Sequence, residues 1–499
     1  MYISGTYANH PFMRKVIQFI LVGGIIFLAA GFKPKDKKWE KTFSKLDSDI
    51  RKNSKAYQTL GEATKTIGHR LTGSANGEKA EEYAFKLLKS YGFTDVAYQP
   101  FEVEAWMRDT VTLSIAPGSS DNFRDVPVVS LAHSPVDAKL QGEIVDVGNG
   151  LEEDFEAVKD KVKGKIALAN IGLVGVTGKK NLHRSEKTAL AIQYGAVGII
   201  MVNGAPGKIL LTGTASVTGG IISIPAVCIS NDSGNEVRKW LKDEAPLEAN
   251  IEMHNVSKPI KARNVIATLK GKSDEKVIIG GHLDSWDLAT GAIDNGIGSF
   301  AVMDVARAFK SLKVKPERTV QFVLFMGEEQ GLLGSKHFIE ELKKNGGLDK
   351  VSYMMNLDMT NDPVGANSFG RTEMTDFFKT VGNAVKNVYP GFKNEISDRA
   401  GLHSDHQPFM LEGIPIAGLS GQLTPGVLQC YHADCDDFSL VNKDQLENTV
   451  RIASMYLYAL ANTETIAVKK LSDTDTRDFL ISQGLKQELV LGQEWRWGK

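Results

Sequence analysis

With 499 residues, 42% hydrophobic and 24% charged, the chain has ordinary globular composition and enough length for two or three cores. Its 59 basic and 60 acidic residues leave a formal charge of −1, and no basic stripe is interleaved with aromatics. That balance excludes nucleic acid and an anionic membrane surface as expected partners.

The chain opens with Arg14 and Lys15 ahead of an apolar run over 16–32. That run carries one polar side chain, Gln18, and has the small residues Ala29, Ala30 and Gly31 near its end. Residues 1–32 are therefore expected to be a secretory signal or an uncleaved N-terminal anchor, the only expected membrane contact. The protein is expected to be exported, whether secreted, periplasmic or anchored. Among the three cysteines, Cys228 reads as a small buried residue. Cys430 and Cys435 flank His432 closely enough for a local disulfide, which the sequence leaves open.

Beyond the leader, a polar amphipathic helix is predicted over 43–61 and a second over 77–91, where Ala80, Tyr83, Ala84, Leu87 and Leu88 recur at helical spacing. An alternating strand follows over 93–105. From 112 to 255 the texture changes to short β-rich runs (142–147, 165–170, 198–202, 226–230) with helices over 186–194 and 233–242. This reads as a self-contained module without a cluster of histidines and carboxylates, so no chemistry is expected there. From 256 to 465, buried strands (277–280, 319–326, 352–357, 414–419) alternate with helices (296–310, 332–344, 372–387, 443–461). The pattern predicts an α/β fold, a three-layer α/β/α sandwich around a mostly parallel sheet. Residues 40–111 are its N-terminal part. Residues 466–499 form an extension with no assigned role, for which amphipathic packing on the body is the simple expectation.

Open α/β sheets bind ligands beyond the carboxyl ends of their strands. In this chain those ends are followed by His282 and Asp284, by Glu328 and Glu329, and by Asp358. Asp294 enters the next helix, and Tyr431 and His432 precede the last one. Any one of these could be a turn or cap residue. Together they would repel one another at a sheet edge unless a cation paired them. No His-Glu-x-x-His helix, nucleophile elbow or Walker loop offers a rival chemistry.

The run Gly280-Gly281-His282-Leu283-Asp284-Ser285-Trp286-Asp287, then Gly291-Ala292-Ile293-Asp294-Asn295-Gly296, resembles the carboxypeptidase Q-like family of di-zinc exopeptidases. Glu328-Glu329-Gln330-Gly331, Asp358 and Tyr431-His432 follow in that family's order, and Gly68-His69-Arg70-Leu71-Thr72-Gly73-Ser74 is similar to it too. The inserted module resembles a protease-associated domain through Val162-Lys163-Gly164-Lys165-Ile166-Ala167 and Ala196-Val197-Gly198-Ile199-Ile200. The resemblance implies two Zn2+ ions, replaceable by other divalent transition metals such as cobalt or manganese. His282 and Asp358 would hold one, Glu329 and His432 the other, and Asp294 would bridge them. It implies Glu328 as general base and Asp284 as the residue orienting His282. Asp405 and His406, with His403, are expected in the pocket wall or just behind the metal donors, the alternatives being a structural loop or direct metal ligation; Tyr431 is expected at the substrate oxyanion or packed over the metal loop, and Asp436 orienting or capping the His432 loop. His69, His133, His183, His254 and His337 read as ordinary structural or surface histidines. The substrate is expected to be a short unblocked peptide, a dipeptide above all, with Arg371 and Arg399 as available cations for its carboxylate. The alternatives are an aminopeptidase on longer peptides and a non-catalytic receptor or scaffold of the same fold. A homodimer is one option for the assembly.

Overall fold

The structure, a computed structural model, describes residues 36–118, 120, 122–243, 246–466 and 468–498. The expected leader over 1–32 lies outside the described residues. Among those described, no helix is long and apolar enough to cross a membrane.

Four parallel strands form the heart of the sheet, in the spatial order Arg318–Phe325, Ser273–His282, Val351–Asn356 and Ile416–Ser420. Apart from the largely exposed polar start of Ser273–His282 (Ser273 to Lys276), they are predominantly apolar and buried, as strands covered on both faces must be. Their register sets Phe325 opposite His282, and Asn356 opposite both Gly280 and Gly418, so the carboxyl ends finish level. Helix Ile297–Ser311, buried along most of its length, packs on the sheet beside Lys443–Asn462.

Two strands tie this sheet to the inserted module. Val96–Pro117 and Leu247–Leu269 pair antiparallel from Val96 opposite Ala267 to Pro117 opposite Leu247. One end of Leu247–Leu269 continues onto Arg318–Phe325, and the other pairs with Asp137–Asp146 of the module. The boundaries read at 111/112 and 255/256 thus fall inside a continuous ribbon. The strand expected over 93–105 runs to Pro117 because its partner continues. The module has its own sheet, Asp137–Asp146, Ile166–Asn170, Gly198–Val202, Ala226–Ile229 and Val128–Ser130, with its own cores.

The first predicted helix is in fact two, Asp36–Asn53 and Ala56–Thr66. Buried Asp304 supplies the break, accepting hydrogen bonds from Ser54 Oγ at 2.7 Å and the Lys55 amide at 3.1 Å. The C-terminal extension forms the helices Asp473–Ser482 and Lys486–Leu491. Leu480, Leu485 and Leu489 join a cluster with Phe338 and Phe409, against which Trp495 and Trp497 pack.

Candidate active site

Level strand ends bring the acidic and imidazole side chains together. His282 is the last residue of its strand, and Asp358 lies two residues past Asn356. Glu328 and Glu329 follow Phe325 through Gly327, which takes a left-handed φ of +78°. Asp294 enters from the turn before helix Ile297–Ser311. His432 arrives on a loop closed by a disulfide between Cys430 and Cys435, which resolves the question the sequence left open. Cys228 is buried as expected, and burial pushes its thiol up to about 12.

Asp294 is the pivot. Its Oδ1 lies 3.3 Å from His282 Nε2 and its Oδ2 lies 3.0 Å from His432 Nε2. Asp358 Oδ1 is 3.4 Å from His282 Nε2, and Glu329 Oε2 is 3.0 Å from His432 Nε2. Donors held at 2.0–2.1 Å by one tetrahedral zinc are separated by roughly 3.3 Å, so both sets have the spacing such an ion needs. Electrostatics point the same way. Burial opposes charge on His282, but the carboxylates of Glu328 and Asp358 outweigh it and hold the imidazole well above its ordinary range. His432 is raised against burial by Glu329. Burial would raise Asp294, yet hydrogen bonds from the two histidines hold it below the usual carboxylate range. The array thus concentrates carboxylates around two imidazoles, and its N/O donors suit zinc.

Supporting residues fix each donor. His282 Nδ1 lies 3.1 Å from the main-chain oxygen of Asp284, against 3.7 Å from its carboxylate. Asp284 therefore orients the ring chiefly through its backbone, while its Oδ1 accepts the Glu328 amide at 3.3 Å. Ser404 Oγ donates to Asp358 Oδ2 at 2.6 Å. Asp436 does not cap the His432 loop as expected. Its two oxygens accept the amides of Ile293 at 2.7 Å and Asp294 at 3.0 Å, fixing the bridging turn instead, and burial raises it to about 7. Fully buried Arg70 braces the same turn through the carbonyls of Leu283, Thr290 and Gly291.

A cavity of about 430 Å³ opens over this array. Glu328 faces it, with Oε2 4.0 Å from His282 Nε2. Burial, reinforced by Asp358, Glu329 and Asp405, raises its carboxyl well above the ordinary range despite the opposing charge of His282. Tyr431 lines the cavity and stacks on His432 with ring centroids 3.9 Å apart. His403 and His406 also line it, His406 Nε2 donating to the Gly401 carbonyl at 3.0 Å. Asp405 lies behind the lining, fully buried and raised to about 7 by that burial.

Sequence reasoning missed what closes the cavity. The inserted module, expected to be chemically silent, contributes His183, Arg184, Glu186, Thr214 and Ser216 to its wall. His183, expected to be ordinary, stacks on His403 at 4.6 Å. Arg184 Nη2 lies 2.9 Å from His432 Nδ1 across 248 residues of sequence. Its guanidinium rests on Gly213, where a Cβ would fall 1.9 Å from Nε. The C-terminal extension adds Glu488, Leu489 and Glu494, the last paired with Lys336 at 2.6 Å and hydrogen-bonded to Gln407. Arg371 and Arg399 do not line the cavity; Arg371 is bound to Glu373 and to the carbonyl of Lys469.

Comparison with known proteins agrees with this geometry. Residues 264–457 match Peptidase family M28 and residues 136–237 match the PA domain. Carboxypeptidase Q of Mus musculus is 25% identical over 419 residues, covering 82% of this chain and 86% of that protein. A peptidase M28 precursor from Shewanella amazonensis SB2B is 26% identical with a TM-score of 0.73, covering 88% of this chain and 99% of that one. A zinc aminopeptidase from Bacillus subtilis is 25% identical with a TM-score of 0.61, over 84% and 97%. With a donor array shaped for zinc at the strand ends, and a module inserted between the ribbon strands, the chain is a zinc-dependent metallopeptidase whose residues 264–457 are similar to peptidase family M28 and whose residues 136–237 are similar to the PA domain.

Proposed function

We propose that the protein hydrolyses the peptide bond of short peptides with both termini free, dipeptides foremost, with two zinc ions and Glu328 as general base. The observation that carries this reading is Asp294, whose two oxygens each face a different imidazole. His282 and Asp358 would hold one ion, His432 and Glu329 the other, with Asp294 shared. When bound, such ions polarise a carbonyl and acidify water. Glu328 takes the proton of the attacking water and delivers it to the leaving amine. Its opening onto the cavity lets it serve both partners.

Arg184 favours a dipeptide over a longer chain. An imidazole whose Nε2 lone pair is engaged by a cation keeps its proton on Nδ1, and that N–H cannot accept from a guanidinium. Arg184, 2.9 Å from His432 Nδ1, then needs an anionic partner inside the cavity. The terminal carboxylate of a short substrate is such a partner, and a guanidinium binds it through two parallel hydrogen bonds. The second reading is an aminopeptidase on longer peptides, favoured by the similarity to the Bacillus subtilis zinc aminopeptidase. Export through residues 1–32 belongs to the same proposal, and the Cys430–Cys435 disulfide supports it, since such bonds persist in oxidising compartments.

Release of amino acids from free, N-acetylated and C-amidated forms of the same dipeptides tests this. Cleavage should require both free termini, and Arg184→Met should raise KM for the free acid by roughly 10- to 100-fold. Cleavage of the amide but not of the acetylated form would replace the dipeptidase reading with the aminopeptidase. Failure to cleave any form with metal bound would end both.

A further inference from the structure

A second group of metal donors sits at the rim of the cavity, outside the array that shares Asp294. Glu186 comes from PA-domain helix Arg184–Gln193, His403 from the loop ahead of His406, and Glu488 from C-terminal helix Lys486–Leu491. One donor atom from each lies within 4.8 Å of the other two. His403 Nε2 is 3.5 Å from Glu186 Oε1, and stacking on His183 at 4.6 Å fixes its ring plane.

Glu186 is the telling member. It is 1% exposed, and Oε2 accepts the His183 amide at 2.8 Å. Oε1 has no hydrogen-bond partner among the described residues and points to His403. A buried carboxylate oxygen without a donor is costly, and a cation removes that cost. Glu488 is buried as well and pairs through Oε1 with Lys180, whose side chain is largely exposed, leaving Oε2 for another partner.

We propose that Glu186, His403 and Glu488 form a third divalent-cation site, of the zinc class because one imidazole and two carboxylates are N/O donors that suit it. Three ligands from three separate parts of the chain make this ion a clasp. It ties the PA domain, the catalytic domain and the C-terminal extension together at the mouth of the active site, and so sets how wide that mouth stands. The proposal does not depend on the choice between dipeptide and longer substrates.

Zinc bound per chain is counted by mass spectrometry after equilibration in buffered Zn2+ for the full-length protein, His403→Asn and Glu488→Gln. Asparagine suits the left-handed φ of +65° at position 403. Each variant should hold one equivalent less than the wild type. Zinc added beyond the catalytic equivalents should raise the melting temperature of the wild type and leave that of both variants unmoved. Equal counts in all three proteins would overturn the site, whichever variant is better folded. His282→Ala, counted alongside, reports on the catalytic ions. A change in its count with the one-equivalent difference intact separates the two questions.

Discussion

Glu328 and Glu329 are neighbours in sequence with opposite surroundings. Glu329 is enclosed and meets His432 at 3.0 Å, so its oxygen is committed to a donor array. Glu328 opens onto the cavity and approaches His282 no closer than 4.0 Å, which leaves it free to exchange a proton with whatever enters. Glu328→Gln keeps the shape and removes the basicity. The variant should hold the same zinc as the wild type while kcat falls by roughly 10²- to 10⁴-fold. Elemental analysis combined with turnover on a free dipeptide checks both halves. Zinc lost in step with activity would make Glu328 a ligand instead of a base. This division of labour follows from one turn at Gly327, since adjacent residues leaving a strand point to opposite sides.

The loop that carries His432 shows what an element contributes beyond its residues. His432 holds a left-handed φ of +55° inside a loop closed by Cys430 and Cys435. A conformation that costs a side-chain-bearing residue of order 1 kcal/mol persists only where its surroundings enforce it. Opening the loop with the double change Cys430→Ser and Cys435→Ser frees that backbone and removes loop-closure stabilisation of about 2 kcal/mol. The ion on the His432 side should then be lost to a competing chelator at roughly tenfold lower concentration, with the ion on the His282 side retained. Uniform retention of both ions would show that Tyr431 stacking holds His432 without the disulfide. The donor set was legible in the sequence because buried parallel strands announce where their carboxyl ends lie, and five of its positions follow such ends or the loops beside them. The supports were less legible. Local sequence places Asp436 with the nearer loop, whereas its carboxylate reaches back to residues 293 and 294, a contact that no local pattern encodes. The break at Ser54 was hidden for the same reason, since Asp304 causes it from 250 residues away.

At the scale of the molecule, the inserted module and the C-terminal extension looked separable in sequence because neither repeats the chemistry of the strand ends. The ribbon of Val96–Pro117 and Leu247–Leu269 overrides that impression by carrying the module over the site, and it does so through pairing that only the folded chain reveals. A buried histidine, His133, lies at this join and contributes to its response to acid. His133, fully buried beside Thr214 at 2.8 Å and Trp106, is pushed down to about 4 by burial, and His406 likewise to about 4. The unfolded chain takes up the His133 proton near its ordinary value of 6.5. Between those two values the unfolded state binds more protons, so the contribution of His133 is complete above pH 6.5 and is lost as pH falls towards 4. The full loss is about 3 kcal/mol for this one residue. His133→Asn keeps a polar group and suits the left-handed φ of +66° there. Denaturant midpoints measured from pH 7.5 to 4.5 should fall less steeply for the variant than for the wild type. Because His133 contacts none of the zinc donors, acid release of metal enters both profiles alike and cancels in their difference. Parallel profiles would mean that His133 is charged in the folded protein, and that the join admits water where the packing of Trp106 and Thr214 leaves it none.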